Sequence, residues 1–506
     1  MLSSCGVGRT RAPLSHFAVG LALVAGLGGV PLAQAQHNGG FELAASAAAP
    51  AGWETERAAL DAAVALRGAR SVRLDADGSR AARIAQHRPP DLPGNRVRFS
   101  AYLKTQDVRG GEAALYIRVD GPAGLLYADR LRERGATGTS GWTRYSVEAP
   151  LFPEATRLSF GVVLDGAGSA WIDEATLESL DTAELPPPSP AAARYVEEAL
   201  DIMRRHSLHR GRVDWEALRA ETLAQARGAA TETDAYLAVN YALRRLGDGH
   251  SYLLGASRSR ALSEAPVSNA RTGRPPLDPR TAMLDGEVAY LWLPGFAGGT
   301  PLHQVAFANA LHDLIAAGDA TSCGWIVDLR DNRGGNLWPM LAGVGPLLGE
   351  GELGASVFPE GRTVALSYIG GQARLGEYTQ LRVSRVPYRL ANAHKPVAVL
   401  TSDDTASAGE VIAAAFRGRP NTLSFGEPTS GVSTGTRTFT LRDGASMVLT
   451  VAATRDRSGR VWSGPITPDR LVDAERAGLP LEDQPAVRAA LAWLRDEHAC
   501  PPASAR

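Results

Sequence analysis

Cysteine is scarce in this 506-residue sequence: three occur, Cys5, Cys323 and Cys500, too few for a disulfide-stapled scaffold. Lysine is rarer still, with Lys104 and Lys395 the only two, so a lysine general base has almost nowhere to reside. An excess of one charge is also missing. Fifty-three basic and 54 acidic residues leave a formal charge of -1, and no global field favours nucleic acid or an anionic membrane. Past the first 35 residues no stretch approaches the ~18 uninterrupted apolar residues of a membrane span. What is present is ordinary for a folded chain: 44% apolar and 21% charged residues exclude a mostly disordered or fibrous protein. The length is several times the ~150 residues that serve as a prior for one domain.

Residues 1–35 read as a signal peptide. Arg9 and Arg11 precede an apolar run from Phe17 to Leu32, and Ala33 Gln34 Ala35 supplies the small-x-small pattern of a cleavage site. Cys5 lies before that run, which argues against a lipoprotein, so the expected fate is export, periplasmic or secreted, with no membrane span once the signal is removed. In such a compartment Cys323 and Cys500 either pair, or Cys323 is simply buried at the head of its apolar run.

Residues 36–182 show short period-two runs broken by Gly, Pro and Asp, such as Val97-Phe99-Ala101-Leu103 and Leu158-Phe160-Val162-Leu164. This is the signature of antiparallel strands in a sandwich. The opening Gly40 Phe41 Glu42 and Gly52 Trp53 and the closing Trp171 Ile172 Asp173 resemble carbohydrate-binding-module-like jelly rolls. Trp53, Tyr116, Tyr127 and Trp142 are then candidates for a sugar-stacking platform that would contact glycan or the cell envelope; the plainer reading makes them core. A Pro-rich linker covers 183–192. A small helical subdomain follows over 193–256, where Tyr195-Ala199-Ile202 and Tyr236-Val239-Leu243-Leu246 recur at helical spacing. His206 and His209 lack a carboxylate to complete a metal site and read as cations at a helix end. Over 257–500 strands alternate with helices, which predicts an α/β layer with a parallel component.

The chemistry gathers in four glycine-marked segments. Thr401 Ser402 Asp403 Asp404 Thr405 Ala406 Ser407 Ala408 Gly409 Glu410 follows an apolar strand and opens a helix. A serine at that junction presents its oxygen where the first free helix amides point, a setting for a nucleophile and equally for an N-cap. Asp328 to Asn336 ends another strand with the pair Gly334 Gly335, whose amides can approach a ligand closely. Gly247 Asp248 Gly249 His250 Ser251 places a histidine just past a helix end, and Gly426 Glu427 Pro428 Thr429 Ser430 Gly431 follows a later strand.

With Pro465 Ile466 Thr467 Pro468 Asp469, this ordered set resembles the C-terminal processing (tail-specific) serine peptidase family, in the histidine-using branch that includes the tricorn core and the retinoid-binding-protein repeats. The resemblance runs from about Tyr195 to Leu494 and implies a crotonase-like ββα core, a polypeptide substrate and no metal or organic cofactor. It also implies Ser407 as nucleophile, Ala408 and either Gly334 or Gly335 as oxyanion donors, and His250 as general base. Asp248, Ser251, Glu427 and Asp469 are the candidates for orienting the imidazole.

The sequence departs from the better-known Ser/Lys members, because Val432 occupies the lysine position. Lys395 precedes the strand leading to Ser407 and stands about 17 Å from its far end, at ~3.3 Å per strand residue. The tricorn-like glutamate is also missing, since Val461 Trp462 Ser463 Gly464 offers no carboxylate. The gap from Leu253 to Gly286 is too short for a PDZ domain, so a peptide would enter the core cleft directly. Two alternatives stand beside this reading. One is an α/β-hydrolase-type esterase using Ser407 and His498, and the other a non-catalytic ligand-binding protein on the same fold.

Overall fold

The computed structural model describes residues 38–122, 124–130, 135–264, 278–297, 299–474, 476, 478–498 and 500. The expected signal peptide at 1–35 lies outside the described residues.

The first unit is antiparallel β-structure organised by one strand, Arg96–Gly121, of 26 residues. Its first half pairs with Ala136–Pro150 and Ala167–Leu180, and its second half with Gly124–Arg130 and Arg157–Leu164. Register shifts between Thr105 and Ala113 divide the halves, so one chain segment joins two sets of strands within a nine-stranded sheet. Their alternate side chains fill a common core in which Phe99 meets Phe160 at 5.0 Å. Trp53 and Tyr127 belong to that core, 6% and 7% exposed, and Trp53 packs against Phe41 and Phe160. The four-aromatic sugar platform is therefore not assembled: two of its members fill the interior, the outcome that apolar ring area favours.

Three helices follow, Pro190–His206, Trp215–Gln225 and Tyr236–Arg245. Pro190 is the first residue of its helix and Ser189 caps it, accepting the Ala192 N–H at 3.1 Å. That is the place where a proline's fixed φ and missing N–H cost nothing. The proline-rich stretch thus runs directly into a helix. Arg204, Arg205 and His206 fill the last turn, as cations at a helix C-terminus should.

The last unit is layered. A six-stranded sheet runs Arg280–Leu284, Val288–Trp292, Gly324–Asp328, Val397–Thr401, Thr422–Gly426, Arg470–Leu471, parallel except for the first pair. Neighbouring residues on each strand serve opposite faces. Val327 and Val399 face the helices Pro301–Asp319, Leu337–Leu348 and Ala408–Phe416, whereas Ile326, Ala398 and Leu400 face the closing helix Pro485–His498. A strand buried on both sides reads as a continuous apolar run, which is how these segments appear in the sequence. Beyond the three helices lies an eight-stranded antiparallel sheet centred on Ser446–Asp456, with Tyr252–Leu254 and Gly435–Thr440 paired to it. The loop before Tyr252–Leu254 of this sheet meets the loop after Val397–Thr401 of the parallel sheet.

Cys323 and Cys500 form a disulfide, with Cα atoms 5.5 Å apart and 177 residues between them, that ties the closing helix to the head of the strand Gly324–Asp328. Cross-linking so distant a pair restricts the unfolded chain strongly. The Cys500→Ser protein should lose about 3–5 kcal/mol of stability, measured as a lower denaturation midpoint than that of the oxidised wild type.

Candidate active site

The turn before Ser407 is lashed to the neighbouring strand end. Ser402 Oγ donates to the Arg330 carbonyl at 2.6 Å, Thr405 Oγ1 to that of Leu329 at 2.9 Å, and the Ala406 N–H to that of Asn332 at 2.9 Å. Ser407 emerges with φ 54° and ψ -118°, a left-handed setting that costs a non-glycine residue energy and is retained where the surroundings enforce it. An ordinary N-cap has extended backbone; this serine does not.

Glu410 does the enforcing. It is fully buried, and its carboxylate accepts the Ser407 N–H at 2.8 Å, the Thr429 hydroxyl at 2.5 Å, and the Gly431 and Val432 N–H groups at 3.0 Å each. Burial pushes its pKa up, while these donated bonds pull it down. One side chain therefore joins the serine's backbone to the loop that follows the strand Thr422–Gly426.

His250 arrives from the loop before the strand Tyr252–Leu254. The helix Tyr236–Arg245 ends, Gly247 and Gly249 turn with positive φ, and Asp248 closes the loop by accepting the His250 N–H at 2.9 Å and the Ser251 N–H at 2.7 Å. The ring lies between two hydroxyls, with Nε2 2.9 Å from Ser407 Oγ and Nδ1 2.8 Å from Thr434 Oγ1. Burial holds the imidazole pKa below its usual value, and Asp248 only partly opposes this.

Thr434 was not among the expected orienting groups, and none of the four that were bonds the ring. Asp248 and Ser251 act in the loop's own backbone and in docking it, Ser251 Oγ accepting the Thr450 N–H at 2.9 Å. Asp469 accepts from the backbone and hydroxyl of Ser424 and pairs with Arg417 at 2.8 Å. Glu427 takes part through its main chain, exchanging bonds with Thr401. Thr434 leaves little trace in sequence, being a neutral residue 184 positions from the histidine; its one signal is its place at the mouth of the strand Gly435–Thr440.

Of the expected oxyanion donors, Gly334 donates its N–H to Asn332 Oδ1 at 3.0 Å. Among the described residues, the Gly335 and Ala408 amides donate to no protein acceptor. Gly334 is held to glycine by space: a Cβ there would lie 2.8 Å from Ser407 Cβ and 2.9 Å from the Ala408 nitrogen. Lys395 is bound far from this cleft, its Nζ 2.6 Å from the buried carboxylate of Asp319. His498 packs edge-on against Trp493 at 4.6 Å on the closing helix. The esterase alternative is thereby overturned, because His250, not His498, reaches Ser407.

The description Peptidase family S41 matches residues 287–472. The nisin-resistance protein of Lactococcus lactis subsp. lactis is 28% identical over 286 residues, 56% of this chain and 84% of its own. The photosystem II D1 C-terminal processing protease superposes with a TM-score of 0.41 at 18% identity, covering 59% of this chain and 97% of that one. A family 16 carbohydrate-binding module aligns with 24% of this chain and 86% of its own, at 20% identity and a TM-score of 0.21.

Glu410→Leu would leave three N–H groups and one hydroxyl without their shared acceptor. The expected loss is about 3 kcal/mol or more, because buried donors stripped of a charged partner keep their desolvation cost. Chemical denaturation measures it, and Glu410→Gln, which retains an acceptor oxygen, should lose less.

Proposed function

We propose, on the premise that this chain is a serine peptidase with a family S41 domain at residues 287–472, that it is an exported endopeptidase working through Ser407 and His250. The observation that carries the reading is the 2.9 Å separation of Ser407 Oγ and His250 Nε2. With the Nδ1 proton donated to Thr434, Nε2 is left to accept the Ser407 hydroxyl proton. The oxygen attacks the peptide carbonyl, and the imidazolium then protonates the leaving amine. The carbonyl oxygen becomes an oxyanion facing the Ala408 and Gly335 amides, the two donors at this corner not engaged by protein acceptors. Water repeats the sequence on the acyl-enzyme with the proton moving the same way. No residue in this cycle requires a metal.

The substrate is a polypeptide, reaching the cleft without a PDZ groove. The Cys323–Cys500 disulfide supports export, since such links persist in oxidising compartments, and so does the targeting pattern of residues 1–35. Of the four aromatics, only Tyr116 and Trp142 are partly exposed, and a contact of this unit with the cell envelope or its glycans would fall to them.

Ser407→Ala should abolish covalent labelling by a fluorophosphonate together with peptide hydrolysis; labelling that survives would place the nucleophile elsewhere. His250 must be neutral to accept the proton, and burial lowers its pKa. The acid limb of kcat/KM should therefore have its midpoint below the ~6.5 of an unperturbed histidine, with activity rising as pH increases through it. Thr434→Val, close in shape, should lower kcat by roughly 10- to 100-fold with little change in melting temperature, because it removes the group that fixes the tautomer.

A further inference from the structure

The helix Tyr236–Arg245, which leads into the His250 loop, is held between two cores. Ala238, Val239, Ala242 and Leu243 pack inside the helical subdomain. Leu237 and Tyr241, one turn apart, face the other way, and Tyr241 is part of the sandwich's own core with Leu237 packed against it. The Tyr241 ring stacks on Phe152 of the sandwich at 5.1 Å and 20°, while its hydroxyl donates to Glu221 at 3.0 Å. A polar clamp lies beside this contact. Arg96 of the sandwich is 5% exposed, and its guanidinium donates to the Gln225 and Arg227 carbonyls at the end of a subdomain helix and to Glu148. Gln225 Nε2 returns a bond to the Asn95 carbonyl at 3.2 Å. The connecting segment is pinned as well, the Gly228 N–H donating to the Pro186 carbonyl at 2.8 Å and the Ser189 N–H to that of Ala229 at 2.9 Å.

We infer that the N-terminal sandwich is a working part of the catalytic unit, a body that positions His250 by bracing the helix before it. Its surface against the helices is a fixed intramolecular interface, and Tyr241, Phe152 and Arg96 are its positioning residues. The inference rests on His250 being the general base. Residues 287–472, which match the family, include neither the sandwich nor His250, so the bracing lies outside the matched segment. Mechanically, nine positions separate Tyr241 from His250, and the loop between them is stiffened by Asp248. A shift or roll of the helix therefore reaches the imidazole, whose bond to Ser407 spans 2.9 Å. Misplacement of a catalytic group by ~1 Å costs on the order of 10²-fold in rate.

The full-length Phe152→Ala protein tests this. Expected are a fall in kcat of roughly 10-fold or more with KM within about twofold, and an equal slowing of fluorophosphonate labelling at Ser407. Phe152→Tyr keeps the stacked ring and should keep both rates. Retention of wild-type kcat and labelling rate by folded Phe152→Ala overturns the inference. Should that variant fail to fold, a protease-cleavage sequence inserted between Pro187 and Pro188 and cut after folding decides the matter. Co-elution of the two pieces with activity retained, or their separation with activity lost, supports the bracing; separation with activity retained overturns it. Labelling of His250→Ala at the wild-type rate would instead defeat the base assignment, while co-elution would still report the docking.

Discussion

The bond between Ser407 and His250 joins residues 157 positions apart, and it can form only because loops from two sheets of different kinds meet. The serine stands beyond the carboxyl end of the parallel strand Val397–Thr401, where open α/β sheets place their reactive loops. The histidine stands just before Tyr252–Leu254, which pairs with the antiparallel sheet. Helices lie between the sheets, so the distance from Oγ to Nε2 is set by helix packing as much as by either loop. Interiors packed at crystal-like density transmit small shifts instead of absorbing them. That makes the layers, and not only the loops, responsible for the geometry of the site.

Two buried polar side chains convert this layer geometry into atomic positions. Asn332, fully buried, accepts the Gly334 N–H through Oδ1 and donates through Nδ2 to the Leu293 carbonyl at 3.1 Å, so it fixes how the glycine pair presents its amides. Glu410 fixes the serine and the loop Thr429–Val432, and that loop runs on to Thr434. Ser407 and Thr434, the residues proposed as nucleophile and as the group that orients the base, thus share a single buried anchor. Polar networks of this kind are costly when incomplete and rigid when satisfied, and here both members bond with every arm the site requires.

Much of this was legible in the sequence, for reasons that differ by element. Runs such as Gly324–Asp328 and Leu337–Leu348 announce themselves because strands buried on both faces and helices buried all round are continuously apolar. Ser407 and His250 stand out because glycines, helix ends and strand ends mark the chemistry on either side of them. Thr434 is silent because the candidates Asp248, Ser251, Glu427 and Asp469 all lie in the glycine- or proline-marked segments, and Thr434 stands three residues beyond the nearest of them, which ends at Gly431. Glu410 closes the segment Thr401 to Glu410 with no role assigned to it from sequence; only burial reveals that it gathers four donors. The docking of the sandwich was invisible for another reason. Phe152 lies in the loop after the strand Ala136–Pro150 and Arg96 opens the strand Arg96–Gly121, positions that read alike in sequence whether they meet water or another unit, and a proline-rich stretch reads as a spacer even where backbone bonds fix it.

A neutral partner for the histidine changes the electrostatics of the proposed reaction. A carboxylate behind the ring would stabilise the imidazolium and raise its pKa, whereas Thr434 leaves burial as the leading influence, and burial favours the neutral base. At rest the pair Ser407–His250 then carries no charge, so the cleft does not have to bury an ion before substrate arrives. Charge appears only when the proton moves, as an imidazolium and an oxyanion created together a short distance apart. Their attraction is strongest where water is excluded, and the amides of Gly335 and Ala408 are the donors proposed for the negative member. Electrostatic stabilisation is thereby concentrated on the transition state, the species on which a gain in binding becomes a gain in rate.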